Sequence, residues 1–395
     1  MIAIIEDLAK QGVKLSEQNK QNLAHYYHSL HPSDYNDSKA EYLLQCANIH
    51  LALGASKHCN ETLIESASIA SLNSSATSTV ISVITRDTPF IRDTLIMCIN
   101  GFGANIIFTH ASLLEVGRDD KGDIRHLSSY KKGEAHEDEI ESFIQFHLES
   151  MSPESVDTLK GKMRRRVDAI YYVVSDWPIA RNRLLQIADL LDAKKAPTSS
   201  SDFIRWIENH NFAVLGSAEI GQNIAQKTIV GESATGLFRY LLENDQDVAP
   251  FIPNLSFGPS SLVVTKLSVT SKIHRSRQMD VIAIHVDDRY YCFVGFLSGT
   301  SFNQSVFQVP LIKEKAERVL ERSGLRPTSC NHKAMHNLLE SFPRALMFQI
   351  KTDKLLQIGG SVLSHQERRK THVYLTKDRC GHFYTSLVYL PRDIF

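Results

Sequence analysis

Nowhere in these 395 residues do two cysteines stand as C-x-x-C, and the six present (Cys46, Cys59, Cys98, Cys292, Cys330, Cys380) are scattered through mixed segments. That spacing excludes a zinc ribbon or a dithiol redox motif and points to reduced thiols in a cytosolic protein. A run of about 18 apolar residues is also missing, which excludes a membrane-spanning helix. The opening MIAIIEDLAKQGVKL carries Glu6 and Asp7 inside its apolar stretch and has no small-residue cleavage pattern, so it does not read as a signal peptide. Charge of one sign is absent too. Lys+Arg and Asp+Glu each number 44, so no global field favours a polyanion, and neither nucleic acid nor a membrane is expected as a partner.

Catalytic punctuation is lacking as well. There is no G-x-S-x-G elbow, no Walker A loop and no H-E-x-x-H pair. Gly101–Ile106 (GFGANI) begins like a dinucleotide fingerprint, but it lacks the third glycine and follows a helix instead of a strand, the wrong order for a phosphate cradle. Cys330, Asn331, His332 and His336 have no second cluster to complete a metal shell, and the acidic run His136–Glu139 reads as solvated loop. The basic runs 162–166 and 367–370 lie toward helix ends, where cations complement the dipole. The chain is expected to carry no catalytic residues, no metal and no cofactor of its own.

What is present is ordinary globular composition, 43% hydrophobic and 22% charged, over a length that calls for two or three domains. Leu23, Tyr26, Tyr27, Leu30, Tyr42, Leu43, Cys46, Ile49 and Leu53 recur at helical steps, so residues 1–72 read as a helical segment. A polar linker at 71–78 follows. TVISVITRD (79–87) alternates like a strand, Thr88-Pro89 offers an N-cap and an N1 proline, and FIRDTLIMCIN reads as a helix closed by Gly101-Phe102-Gly103. A long strand, a turn at Asp119–Gly122, a return strand, a further strand at ESFIQFHLESM and a helix from Ser152-Pro153-Glu154 complete the order β-α-β-β-β-α. That order predicts an α+β, ferredoxin-like (ACT-like) antiparallel sheet with its helices on one face, over residues 78–193.

Residues 200–325 read as a second α/β domain, ACT-like or PAS-like, with Ser201 or Asp202 capping its first helix. Its strands are FAVLGSAEI, QKTIVG, SLVVTKLSVT, MDVIAIHV and YYCFVGFLS, and a tight turn falls at Asp287-Asp288. A helix ending at Gly324 closes it. Residues 330–370 form a helical connector, and 371–395 a hairpin that begins a further α/β domain. The loop residues Lys272, His274, Arg275 and Arg277 offer a positive patch to a carboxylate or to another subunit's acidic face.

Several stretches together resemble one family: TRDTPFIRDTLIMCIN with ANIIFTHASLLEV, Asp176-Trp177-Pro178, FIRWIENHNFAVLGSAEI, KIHRSRQM, PLIKEKAERVLERSGL, ESFPRALMFQI, QERRK and LVYLPRDIF. In their order and spacing they look like the N-terminal region of the large bacterial NAD-specific glutamate dehydrogenases. The resemblance implies ACT-type regulatory and assembly domains, with the NAD fold and catalytic lysines downstream in the same polypeptide. It also implies a homo-oligomer and an amino-acid effector near the turn between first helix and second strand, which here is Gly101, Phe102, Gly103, Ala104 and Asn105. Asp87 is placed to meet the effector's amino group, though it is equally a helix-start residue. A stand-alone amino-acid-binding sensor built from the same domains is the rival reading.

Overall fold

The computed structural model describes residues 6–9, 12–30, 40–58, 61–70, 77–131, 139–194, 198–221, 226–254, 261–366, 372–377 and 384–389. The basic run 367–370 and His136, Glu137 and Asp138 lie outside these residues. The chain divides into two compact units, Met1–Tyr171 with Lys272–Ser276, and Tyr172–Ser271 with Arg277–Phe395.

In the first unit, α1 (Glu17–Tyr26) and α2 (Ala40–Leu53) precede β1 (Leu63–Ala70), β2 (Thr77–Arg86), α3 (Ile91–Phe102) and β3 (Ile106–Arg118). β4 (Ile124–Ser129), β5 (Ile140–Leu148) and α4 (Pro153–Ser175) follow. The sheet order is β1-β2-β5-β3-β4 and every pairing is antiparallel. β2 and β3, joined through α3, flank β5, which is the split β-α-β arrangement the sequence order demands. The edge beside β2, where a ferredoxin-like fold places its last strand, is filled here from the other direction by β1. Residues 63–70 are thus strand and not the continuation of a helix.

Alternation along β2 explains the layering. Val80 and Ile84 join Leu114, Val116 and Phe143 under Leu23, Tyr26, Tyr42, Leu43 and Cys46 of the N-terminal helices. The opposite face meets α4, where Tyr171 bonds Thr62 and Thr85, and Leu159, Met163, Val167 and Ile170 are fully buried. β5 is buried at all nine positions because both faces are covered. Ser152 starts α4 as expected, accepting from the Ser155 amide at 3.3 Å. Thr88-Pro89 does not cap α3. Thr88 Oγ1 instead turns back to Arg86 O at 3.1 Å, and Phe90 takes the N-cap place at φ 75° with no side-chain bond to the helix.

The second unit opens with α5 (Trp177–Ala193) and α6 (Thr198–Trp206), then a π-turn at Ile207–Asn211 and β6 (Phe212–Ile220). Ser201 and Asp202 fall inside α6, which starts at Thr198. β7 (Thr235–Gly236), α7 (Leu237–Glu243), β8 (Leu262–Thr270), β9 (Gln278–Val286) and β10 (Arg289–Leu297) complete an antiparallel sheet ordered β7-β6-β10-β9-β8. QKTIVG supplies only an isolated bridge, Ile229 to Ile220, and the short β7 takes the edge position. Asp287 and Asp288 turn β9 into β10 with φ of 53° and 57°, the twist-matched two-residue hairpin. α5 and α6 cover one face through Leu184, Ile187, Phe203 and Ile204 against Val264, Ile282 and Phe293.

Gly295 sits where β10 slips register against β6; a Cβ there would lie 2.0 Å from Ala213 O and 2.9 Å from the Phe212 ring. Gly295→Ala is therefore expected to cost about 2–3 kcal/mol, because a backbone carbonyl cannot yield as a side chain would. Urea unfolding followed by the fluorescence of Trp177 and Trp206, both in this unit, would read it; an unchanged midpoint would show that the strands can separate freely.

Beyond the sheet come α8 (Gly299–Asn303), α9 (Ile312–Arg322), α10 (Cys330–Ser341), α11 (Arg344–Gln349) and α12 (Thr352–Gln366), then the β11 (His372–Lys377) and β12 (Tyr384–Tyr389) hairpin. Val319, Met335, Leu339, Met347, Leu355 and Ile358 make a separate helical core. Among the described residues no helix is long and apolar enough to cross a membrane.

Candidate functional site

Two places in the first unit gather polar side chains around a cavity. The first, of about 430 Å³, opens at the end of β2 and the start of α3. Asp87 stands at its edge, its amide donating to Ile140 O at 2.9 Å and its Oδ1 accepting from Ser142 Oγ at 2.8 Å. Ile91, Arg92 and Asp93, the first turn of α3, also line it. Because Phe90 offers that turn no side-chain acceptor, the helix presents its positive end and unsatisfied N–H groups to the cavity. An aromatic residue at φ 75° is held there only by its surroundings, the kind of local strain found at binding sites. Ala111, Leu113 and Ile144 form an apolar wall, and Tyr130 and Ser112 add hydroxyls. A carboxylate can sit at the helix N-terminus, an ammonium at Asp87 and a small apolar group against the wall.

The turn named from sequence lies elsewhere. Gly101 and Phe102 end α3, and Gly103 follows at φ 84°, donating to Asn100 O at 3.0 Å while Ala104 donates to Ile99 O at 3.3 Å. These are helix-closing bonds. Phe102 carries Lys162 Nζ 4.7 Å over its ring, and Asn105 Nδ2 donates to Glu149 Oε2 at 3.0 Å. Twelve residues of helix separate the two ends by about 18 Å, so Asp87 and Gly101–Asn105 do not share a site.

The basic residues lie on the loop between β8 and β9. His274 belongs to the first unit, donating its amide to Thr94 Oγ1 at 2.9 Å with its ring 4.6 Å from Phe90. Arg277 belongs to the second and lies 4.8 Å over the Phe296 ring. Ser271 N–H closes the loop on Arg277 O at 3.0 Å, and within it the Arg275 amide donates to Ile273 O at 2.8 Å.

Other motifs carried by the resemblance turn out to be clamps. Asp176, 5% exposed, holds Arg239 through two bonds of 2.7 Å and accepts from the Gly236 amide at 2.8 Å. This joins the start of α5 to the start of α7 inside the second unit. Arg344, in ESFPRALMFQI, donates to Gln304 O, Glu340 O and Phe342 O.

Behind α1 and α2 lies a polar network the sequence did not announce. His50 Nε2 faces Val83 O at 3.2 Å, so that nitrogen must hold the proton, and Nδ1 accepts from Tyr26 Oη at 2.8 Å. His147 Nδ1 meets Tyr42 Oη at 2.7 Å. Burial pushes both imidazoles down to about 3, which keeps them neutral. The same desolvation pushes the Cys46 thiol up to about 12, so it is an inert core group.

The sheet order β1-β2-β5-β3-β4, with two helices on one face and a cavity at a strand end, defines the first unit as an ACT-like α+β domain. The glutamate dehydrogenase ACT1 domain model matches residues 23–163, and the glutamate dehydrogenase helical motif 1 model matches residues 309–368. The NAD-specific glutamate dehydrogenase of Halomonas elongata is 27% identical over 346 residues, covering 81% of this chain and 21% of that protein. That of Pseudomonas aeruginosa is 25% identical over 344 residues with the same coverages, and that of Mycobacterium tuberculosis 24% over 196 residues, 49% of this chain and 12% of that protein. The chain belongs to the large NAD-specific glutamate dehydrogenase family and corresponds to its N-terminal region. It spans about a fifth of the length of the first two of these relatives.

Proposed function

We propose that this chain is the regulatory and assembly segment of an NAD-dependent glutamate dehydrogenase acting in the cytoplasm. The conversion of L-glutamate to 2-oxoglutarate and ammonia, and NAD itself, belong on this reading to a further part of the same polypeptide. The segment senses an amino acid and helps hold a homo-oligomer together. The observation that carries the sensing role is the 430 Å³ cavity, where Asp87 and the uncapped first turn of α3 offer opposite charges to one small molecule. The strand order β7-β6-β10-β9-β8 supports the PAS-like alternative for the second unit, since it joins a two-strand start to a three-strand meander and has no split β-α-β. Regulation requires the effector to bind two states of the enzyme unequally.

Titrating the protein with each amino acid while following its melting temperature tests the sensing role. A ligand at a hundred times its dissociation constant adds about 2.7 kcal/mol, a shift of several degrees for a domain of this size. Asp87→Asn should remove the part of the shift that comes from this cavity. If no amino acid produces one, sensing falls and assembly alone remains. NAD reduction with glutamate by this chain alone should be nil; turnover would overturn the division of labour.

A further inference from the structure

We propose that a second small-molecule site lies at the same sheet end as the first and takes a small zwitterion such as an α-amino acid. It is a cavity of about 540 Å³. The two share a frame. Arg86 and Asp87 are consecutive at the end of β2, Glu141 and Ser142 consecutive at the start of β5, and successive residues of a strand point to opposite faces. Asp87 and Ser142 line the first cavity, Arg86 and Glu141 the second.

The floor of this cavity is a buried group with more positive than negative charge. Lys57 Nζ lies 3.0 Å from Glu141 Oε1, and Arg118 grips the same carboxylate with Nε at 2.9 Å and an Nη at 2.8 Å. The side chains of Lys57, Arg118 and Glu141 are only 3%, 11% and 8% exposed. One carboxylate thus serves two buried cations, and the excess positive charge is costly away from water unless an anion joins it. Of the three N–H groups on Lys57, one is used by Glu141 and one by His58 O at 3.3 Å. The third is left for such an anion.

The rim has the opposite sign. Asp120 and Glu139 are exposed there. Asp119 is engaged by the amides of Lys121 and Asp123 at 3.0 Å and by Arg125 at 2.5 Å. A simple anion would pass two carboxylates to reach the floor, and a metal cation would meet Lys57 and Arg118. A molecule with a carboxylate inward and an ammonium outward satisfies both. Gly122 fixes the wall, since at φ 87° a Cβ would strike Lys57 O at 2.5 Å.

Calorimetric titration of the full chain with the amino acids, and with acetate and phosphate as anions without a cationic end, decides the matter. Lys57→Met leaves a balanced Arg118–Glu141 pair, so the chain should stay folded by circular dichroism while zwitterion binding at this second cavity, read in the Asp87→Asn background, weakens at least tenfold. Asp120→Asn with Glu139→Gln alters only exposed side chains; it should weaken amino-acid binding severalfold and strengthen acetate binding. Binding here should survive Asp87→Asn. The site is overturned if no amino acid binds, if binding is lost in Asp87→Asn yet intact in Lys57→Met, or if acetate or phosphate matches the amino acids in the unaltered chain. Should Lys57→Met fail to fold, the rim variant decides alone. Loss of binding in Lys57→Met with persistence in Asp87→Asn would support this site even if sensing at the first cavity failed.

Discussion

Lowering the pH from 7.5 to 5 should loosen the first unit by about 4 kcal/mol, roughly half the stability of an average domain. His50 and His147 hold folded-state values near 3 against 6.5 in a solvated chain. Their pKa values are depressed, so the unfolded chain binds protons that the folded one refuses. Stability is therefore full above about pH 6.5 and is lost progressively as pH falls toward 3. At pH 5 each histidine contributes about 2 kcal/mol of that loss. Hydrogen exchange, corrected for the intrinsic effect of pH, should rise in peptides from α2 and β5 and stay level in β9 and β10 of the second unit. His147→Gln, which keeps an acceptor for the Tyr42 hydroxyl, should remove about half of the pH dependence. Equal protection of α2 and β5 at the two pH values would sink the argument.

That histidine layer also shows where sequence reasoning stopped. The periodic apolar residues of α1 and α2 were legible, and Leu23, Tyr26, Tyr42, Leu43 and Cys46 are all buried. The strands β2, β3, β5, β6, β8, β9 and β10 were legible too, since β-branched and aromatic residues dominate them. β1 was not. LIESASIA buries only Ile64 and Ile69 along an edge, so its pattern is too polar to stand out. The failure of Thr88-Pro89 as a cap has a similar origin, because a local preference gave way to the tertiary placement of Phe90. Asp87 is readable in the sequence as a strand-end residue before a helix, and its distance from Gly101–Asn105 is set by the length of α3, which only three-dimensional placement makes plain. The second cavity had no sequence signal at all. Lys57, Arg118 and Glu141 come from three separate segments with no motif spacing, and their relation exists only through the pairing of β3 with β5 and the bond of the Lys57 amide to Gly122 O.

Arg344→Ala should unfold the helical core of residues 306–362 at a cost of about 3–5 kcal/mol. The residue is 8% exposed, and its guanidinium reaches Gln304 O at 2.8 and 3.1 Å, Glu340 O at 2.9 Å and Phe342 O at 3.0 Å. It also pairs with Glu340 Oε2 at 3.3 Å. Glu340 in turn accepts from Ser305 Oγ at 2.5 Å and the Val306 amide at 3.2 Å. Truncating Arg344 leaves three backbone carbonyls and a carboxylate short of a donor in a site water reaches poorly. Arg344→Lys should recover little, because an ammonium cannot spread five donors in one plane. Chemical denaturation followed by Trp206 is a suitable probe, since Trp206 packs against the Val306–Val362 cluster. A lysine variant as stable as the parent would show that charge alone, and not the guanidinium fork, closes this clamp. The expected contrast would show that the arginine of ESFPRALMFQI, by its planar fork of donors, fixes how the helices after the second sheet are joined.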